Sequence, residues 1–254
     1  MTDIILSGCG GAMGRAVAVR ACSIDCNIVA GIDPATDLQL GYPVFQSAVT
    51  CDTKADVIVD FSHPSALNRL LELAERSGIP LVLATTGLDE TQIAQVREAA
   101  KQTPIFFSFN MSLGINLMSA LAKTAARILG SQFDIEIIEK HHNRKLDAPS
   151  GTALMLADAV SGEFATPPEY VHERHSKRQK RGKSEIGMHA VRGGTIVGEH
   201  ELLFAGQDET LSITHAAHSR EVFATGALSA ARFMVGKPAG RLYDMNDLIN
   251  EEAT

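Results

Sequence analysis

The residues best equipped for chemistry lie in one stretch, Glu139-Lys-His141-His142-Asn-Arg-Lys145-Leu-Asp147-Ala-Pro-Ser150-Gly151-Thr152. Histidine titrates near neutrality and can pass a proton at physiological pH. Lys145 adds a fixed cation or an acid. Pro149 stops any helix before it, and Ser150 is placed to cap a helix running from Gly151 to Val160. The start of such a helix offers free N–H groups to an anion. Two histidines, a lysine and a helix start together describe a site for a carboxylate-bearing molecule that must be protonated. Adjacent histidines can also form a metal pair, but on extended chain their side chains point to opposite sides. Taken alone, each is as much a surface or satisfied core residue.

A second segment, Gly8-Cys9-Gly10-Gly11-Ala12-Met13-Gly14-Arg15, follows the short apolar run Asp3 to Ser7. Glycines there allow a tight turn and close backbone approach to a pyrophosphate, which the following helix start attracts. The strict G-x-G-x-x-G spacing fails at Met13; a G-x-x-G-x-x-G spacing of Gly8, Gly11 and Gly14 fits. Such a cluster by itself is also a plain turn. Asp33, nineteen residues after Gly14, ends a second apolar run, where an acid can bond the ribose hydroxyls of an adenosine. It can equally make an Asx turn before Pro34. Strand, glycine turn, helix, strand and acid in that order predict a dinucleotide site. A Walker-type loop is disfavoured, because no Gly-Lys-Ser/Thr ends the glycine run. A 2′-phosphate would crowd Asp33 and needs a nearby cation. Pro34, Ala35 and Thr36 supply none, and Ala12 is uncharged, so NADH is expected over NADPH. Arg15 is the residue placed to undo that preference.

The elements that must position these groups follow from apolar patterning. Strands are expected at Asp3–Ser7, Asn27–Ile32, Asp56–Phe61, Pro80–Ala84 and Pro104–Ser108, and helices at Ala12–Cys22, Pro64–Ser77 and Thr91–Gln102. Short apolar strands separated by helices argue for a parallel sheet covered on both faces. The pattern changes after about Asn110. A long helix, Ile115–Leu129, leads into the strand Asp134–Glu139, and three alternating runs follow at Ile186–Val191, Val197–Phe204 and Thr210–Ala216. That predicts an α+β second domain with an open mixed or antiparallel sheet. Val222–Met234 is again helical, and the tail from Arg241 returns to the first domain.

Composition sets the outer bounds. Subtracting 30 Asp+Glu from 23 Lys+Arg gives a net charge of −7, which speaks against a general nucleic-acid binder. No apolar run reaches the ~18 residues of a membrane span. The start of the chain has neither the basic region nor the cleavage site of a secretory signal. A cytoplasmic location with no membrane partner is expected. Cys9, Cys22, Cys26 and Cys51 include no Cys-x-x-Cys, and no second pair stands at zinc spacing, so small buried or half-buried thiols are expected and no metal. Arg174 to Lys183 holds six Lys/Arg in ten residues. A solvated loop is favoured there, with a nucleic-acid patch or an anion-attracting flap as alternatives.

The chain resembles the 4-hydroxy-tetrahydrodipicolinate reductase (dihydrodipicolinate reductase) family. The resemblance spans nearly the full length. It rests on Gly8-Cys-Gly-Gly-Ala-Met-Gly14, Asp60-Phe61-Ser62-x-Pro64, Thr85-Thr86-Gly87, Asn110-Met-Ser-x-Gly114-x-Asn116 and the Glu139 to Thr152 segment. Arg192-Gly-Gly-x-Ile-Val-Gly-Glu-His200 and Gly240-x-x-Tyr-Asp-Met245 complete it. It implies an α/β fold: a Rossmann-like dinucleotide-binding domain, 1–112 plus 221–254, with an inserted α+β domain, 113–220. The inserted domain, built on an open mixed sheet, would bind substrate and assemble a homotetramer. The implied reaction is NAD(P)H-dependent reduction of 4-hydroxy-tetrahydrodipicolinate, a small dicarboxylate, in lysine (diaminopimelate) synthesis. The acid/base histidine falls on His141 and the proton-donating lysine on Lys145. His142, Gly151 and Thr152 would hold substrate carboxylates. Gly8, Cys9, Gly10, Gly11, Ala12, Met13, Asp33, Ala84, Thr85, Thr86, Ser108, Phe109, Asn110 and Met111 would contact the cofactor. Ala12 and Pro34 stand where many relatives carry a cation, which bears on NADPH use and not on the reaction; Ala84 stands where Gly is frequent, and its methyl would narrow the nicotinamide end slightly. Domain closure with hinges near Ser112 and Ser219 is expected. The alternatives are another NAD(P)-dependent amino- or keto-acid dehydrogenase, such as an aspartate dehydrogenase-like enzyme, or a non-catalytic NAD-binding sensor.

Overall fold

The computed structural model describes residues 1–35 and 37–252. Thr36, one of the uncharged positions after Asp33, lies outside the described residues. The chain divides into two units: residues through Leu113 together with those from Arg220 onward, and Gly114–Ser219 between them.

The first unit holds β1 (Thr2–Ser7), α1 (Ala12–Ala21), β2 (Cys26–Ile32), β3 (Val44–Phe45), β4 (Val57–Asp60), α2 (Leu67–Ser77), β5 (Leu81–Leu83), α3 (Glu90–Ala99) and β6 (Ile105–Phe107). The sheet order is β3-β2-β1-β4-β5-β6, extended beyond β6 by a strand from the chain's end, and every pairing is parallel. The chain reverses its winding between β1 and β4, the crevice where open α/β sheets bind ligands. The strands alternate between two cores. Ile4, Leu6, Val57, Val59, Val82 and Phe106 face one cluster, while Ile5, Ile58, Leu81, Leu83, Ile105 and Phe107 face the other. That is the period-2 alternation of a sheet buried on both sides. Leu67, Leu70, Leu73 and Ala74 of α2 cover the second cluster, and Gly78 ends that helix with φ +67. Asp89 and Gln92 make a reciprocal capping box at the start of α3.

The second unit contains α4, which begins at the boundary (Leu113–Leu129), β7 (Asp134–His141), α5 (Gly151–Ser161), β8 (Glu169–Val171), β9 (Glu185–Arg192), β10 (Gly198–Ala205) and β11 (Thr210–Ala217). The order is β11-β10-β7-β9-β8. β10 is antiparallel to both β11 and β7, whereas β7-β9 and β8-β9 are parallel. The expected open mixed sheet is thus borne out. Ile135, Ile137, Ile186, Met188, Leu202 and Phe204 on one face pack on Ala153, Leu156, Ala157 and Val160 of α5 and on α4. The chain then returns to the first unit through α6 (Glu221–Met234), β12 (Leu242–Tyr243) beside β6, and α7 (Met245–Glu252).

Three expectations need correction. β7 runs two residues past Glu139, because Glu139 and His141 continue its buried face instead of ending it. The short strands β3 and β8 have too few residues to show an alternating signal. The basic segment is not simply solvated. Arg174 bonds Glu136 and Glu185, and Arg181 bonds Asp134 and Glu136, so two of its six cations strap the segment to the sheet. Lys177, Arg178, Lys180 and Lys183 are exposed as expected.

Helix α6 lies close to its neighbours because its buried face is mostly small, with Ala224, Gly226, Ala227, Ala230 and Ala231 beside Leu228 and Met234. A methyl group at Gly226 would sit inside the Met111 carbonyl oxygen. Helix propensity alone would favour alanine there by about 0.5–1 kcal/mol. The clash outweighs it, so Gly226→Ala is expected to destabilise the protein by about 1–3 kcal/mol in urea unfolding. A stabilised variant would show that α6 does not approach Met111 so closely.

Candidate active site

The glycine loop joins β1 to α1 at the carboxyl end of the parallel sheet. Gly8 has φ +75 and donates to the Ile32 carbonyl at 2.8 Å. A side chain at Gly8 would come 2.6 Å from the Phe61 carbonyl oxygen beyond β4, and one at Gly14 would strike the Gly8 carbonyl. Only glycines let β1, β4 and α1 converge this tightly. α1 begins at Ala12 after Gly11 and has no side-chain cap, so its first N–H groups remain for an anion. Cys9, expected to contact the cofactor, is fully buried in the core. Burial, reinforced by Asp33, pushes its thiol up to about 11. Met13 is half-buried and packs against the same core.

Asp33 makes the Asx turn and also holds the glycine loop. Its Oδ1 accepts from the Ala35 N–H at 3.0 Å, the Asx turn, and its Oδ2 accepts from the Gly10 N–H at 2.9 Å. Arg15 is tied back, its Nε donating to the Gly10 carbonyl at 3.0 Å. A cleft of about 340 Å3 lies over this edge, lined by Gly8, Gly11, Asp33, Phe61, His63 and Arg69 among others. The cation lining this cleft, Arg69, comes from α2, thirty-six residues from Asp33 in sequence.

Two further loops rise from the same sheet edge. Thr85 is buried and donates to Asp60 Oδ2 at 2.5 Å, while the Ser62 N–H donates to Oδ1 at 3.1 Å. Burial pushes the Asp60 carboxyl up, against these bonds. Ala84 is buried and Thr86 exposed. After β6, Ser108 Oγ donates to the Asn110 carbonyl at 2.9 Å, Phe109 is exposed with its ring edge on Phe107, and Met111 is buried. A glycine cradle, an unblocked helix start and an acid by the cleft fit a dinucleotide.

In the second unit, the alternation of β7 turns Glu139 and His141 to the helix-covered face, and His142 follows directly after the strand, half-buried. Glu139, 1% exposed, is met by four donors. Arg192 gives two bonds, at 2.7 and 2.8 Å, His141 Nδ1 lies 2.5 Å away, and the Ser150 N–H donates at 3.0 Å. Burial pushes this carboxyl up, but the Arg192 and His141 bonds outweigh it and hold it below the usual range. Ser150 caps α5 through Ala153 N and lies 3.1 Å from His200 Nε2. The His200 ring meets His141 edge-on at 5.2 Å. Gly198 gives the His141 ring its room: a Cβ there would stand 3.1 Å from Nε2. Lys145 is on the turn after β7 and pairs with Asp147 at 2.9 Å, which holds the Asp147 carboxyl low. Gly151 and Thr152 are the first two residues of α5, with open space at the Gly151 Cα.

The structure thus gathers His141, Lys145, Gly151 and Thr152 around one turn and one helix start. It adds Glu139, Arg192, Gly198 and His200, to which the sequence reading gave no role. All four fall in motifs that carry the resemblance, and strand alternation further puts Glu139 on the face of His141. Among the described residues, no group of three or more His, Cys, Asp or Glu could hold a metal ion.

His200 generates a pH prediction. Burial, with His141, His215 and Lys145 adding repulsion against the pull of Glu139, pushes its imidazole down from 6.5 to about 4. A folded value below the unfolded one gives stability that is full above about 6.5 and lost as pH falls towards 4. Wild type is expected to lose on the order of 3 kcal/mol more than His200→Gln across that window, in urea unfolding at successive pH values. Equal losses would show that His200 is not held neutral.

Comparison with known proteins agrees along the chain. Residues 2–111 match the family model for the dihydrodipicolinate reductase N-terminus, and residues 114–249 match that for its C-terminus. The chain is 50% identical over 252 residues to the 4-hydroxy-tetrahydrodipicolinate reductase of Caldanaerobacter subterraneus subsp. tengcongensis, covering 99% of each. It is 47% identical over 253 residues to the protein of that name from Clostridium novyi, covering 99% of this chain and 100% of the other. In fold it is similar to the dipicolinate-bound dihydrodipicolinate reductase from Paenisporosarcina sp. TG-14, with TM-score 0.79 and 24% identity over 97% of this chain and 99% of that one. The resemblance drawn from the motifs is borne out: the chain belongs to the dihydrodipicolinate reductase family of pyridine-nucleotide-dependent reductases.

Proposed function

We propose that this chain reduces 4-hydroxy-tetrahydrodipicolinate to tetrahydrodipicolinate with NAD(P)H, in lysine (diaminopimelate) biosynthesis. The observation that carries this is His141, held by Glu139 beside the capped start of α5, in a chain whose relatives bear that enzyme's name over their full length. The glycine loop from Gly8 to Met13, Asp33, Ala84 to Thr86 and Ser108 to Met111 would hold the dinucleotide. When bound, it supplies a hydride to substrate C4.

The chain's own residues do the rest. The α5 N–H groups at Gly151 and Thr152 take one substrate carboxylate, and His142 and Lys145 neutralise the dianion. Lys145 exchanges Asp147 for a substrate oxygen to do so. Loss of the 4-hydroxyl as water leaves a C=C conjugated with the ring imine; hydride addition to its C4 would leave an enamine, and the neighbouring carbon takes a proton from His141 as the imine forms. A fixed proton donor contributes about 100- to 10,000-fold to such a step.

NADH is the proposed better cofactor, because the Asp33 carboxylate fills the place a 2′-phosphate would need. Arg69 and His63, which share the cleft with Asp33, are the groups that would accept that phosphate; Arg15 is engaged with the loop backbone. The assembly is proposed to be a homotetramer, and the setting cytoplasmic, both on the family expectation. Among the described residues, no helix is long and apolar enough to cross a membrane.

The test is an absorbance assay at the nicotinamide band with enzymatically generated substrate, run with NADH and NADPH in parallel. Wild type is expected to consume NADH, with kcat/KM above that for NADPH. A higher value with NADPH would reverse the preference, and no oxidation of either would remove the function. In the same assay His141→Ala is expected to lower kcat at least ~100-fold with little change in KM. Lys145→Ala should lower kcat and raise KM together. An unchanged kcat in His141→Ala would strip that residue of its role.

A further inference from the structure

We infer that Glu139, clamped by Arg192, is the positioning residue that dictates which nitrogen of His141 exchanges protons and ties that ring to the start of α5. The inference rests on the reductase reading for its consequence, but its geometry stands in the second unit alone.

An ionised carboxylate only accepts hydrogen bonds. Glu139 Oε2 lies 2.5 Å from His141 Nδ1, so Nδ1 must carry a proton and Nε2 is left to exchange one. Arg192 fixes the carboxylate in turn, because its two nitrogens take one oxygen each, at 2.8 and 2.7 Å. The same Nη2 donates to the Asp147 carbonyl at 2.6 Å, holding the turn that carries Lys145. The remaining capacity of Oε1 is used by the Ser150 N–H, one residue before α5. Proton donor, cation turn and anion-binding helix start are therefore referenced to one side chain.

The groups facing His141 come from every element around it. Glu139 lies on its own strand, Arg192 on β9 directly opposite, Gly198 and His200 on β10, and Ser150 before α5. Of these only Glu139 reaches Nδ1. In the proton step, an imidazolium at His141 breaks its Nε2–H bond as the new C–H bond forms on the substrate. It is left as the neutral Nδ1–H form, the tautomer the carboxylate holds, and water restores the proton. Glu139 keeps its charge throughout.

Glu139→Gln separates positioning from packing. Glutamine keeps the shape and one acceptor. With that oxygen on the Ser150 N–H and Arg192 Nη2, its NH2 gives up the Arg192 Nη1 bond, faces Nδ1 and donates to it, which inverts the tautomer. The experiment is 15N NMR of histidine-labelled full-length protein, wild type and Glu139→Gln, with dipicolinate titration by calorimetry and the reductase assay alongside. Wild-type neutral His141 is expected to be protonated at Nδ1. The variant is expected to lose that tautomer and at least about 100-fold in kcat, with dipicolinate Kd changed less than about threefold. A variant that keeps the Nδ1–H tautomer, or one that keeps its kcat within about threefold of an active wild type, overturns the inference. If Glu139→Gln does not fold, the wild-type spectrum decides alone: an Nε2–H tautomer at His141 overturns it. If wild type binds and shows the expected tautomer but reduces nothing, the function proposed above fails while the positioning role stands.

Discussion

One buried carboxylate organises the chemical half of this molecule. Removing a carboxylate from water costs several kcal/mol unless its oxygens are bonded on all sides. Glu139 is bonded by a bidentate guanidinium, an imidazole and a backbone N–H, on an atom set with almost no solvent contact. Each donor comes from a different place in the chain: β9, the end of β7 and the cap of α5. A buried charge so shared is a weak source of net stability, since an apolar cluster could match it. What it supplies is placement, because deviation of any one donor leaves an ion uncompensated in the interior. Strand alternation makes this possible. Ile135 and Ile137 anchor β7 in the core, and the next two inward positions are Glu139 and His141.

The first unit uses the same device at the edge of its sheet. Asp33 directly follows β2 and holds the glycine loop through Gly10; Asp60 ends β4 and holds the loop after β5 through Thr85. Two acids at strand ends thus fix the loops that surround the winding reversal between β1 and β4. Glycines at 8 and 14 let backbone approach backbone where no side chain fits. The result is a preset cradle, which reduces the ordering a bound dinucleotide must impose.

The layout of both units is legible in sequence because it depends on local signals. Apolar runs such as Val57 to Val59, the glycine turn and the Ser150 cap each act within a few residues, and the structure has a strand, turn or helix start at each place. The pairing of Glu139 with Arg192 is not legible, although both stand in the quoted motifs, because they lie fifty-three residues apart and meet only through the β7-β9 pairing. Arg69 is not legible for the same reason: α2 brings it to the cleft that Asp33 lines, although the two are thirty-six residues apart in sequence. The basic segment misled in the opposite direction. Its charge density argues for solvent, yet Glu136 stands across from Gly187, a position with no side chain, and there receives Arg174 and Arg181.

The central claim is that a hydride from the dinucleotide and a proton from a fixed imidazole arrive at adjacent carbons of a small dianion. Isotope tracing of the product tests it most directly, using reduced cofactor deuterated at the transferring position in ordinary water, then unlabelled cofactor in heavy water. The account predicts one cofactor-derived deuterium at C4 in the first case and one solvent-derived deuterium on the neighbouring carbon in the second. Product with no cofactor-derived hydrogen, or with its label at any other carbon, would contradict it.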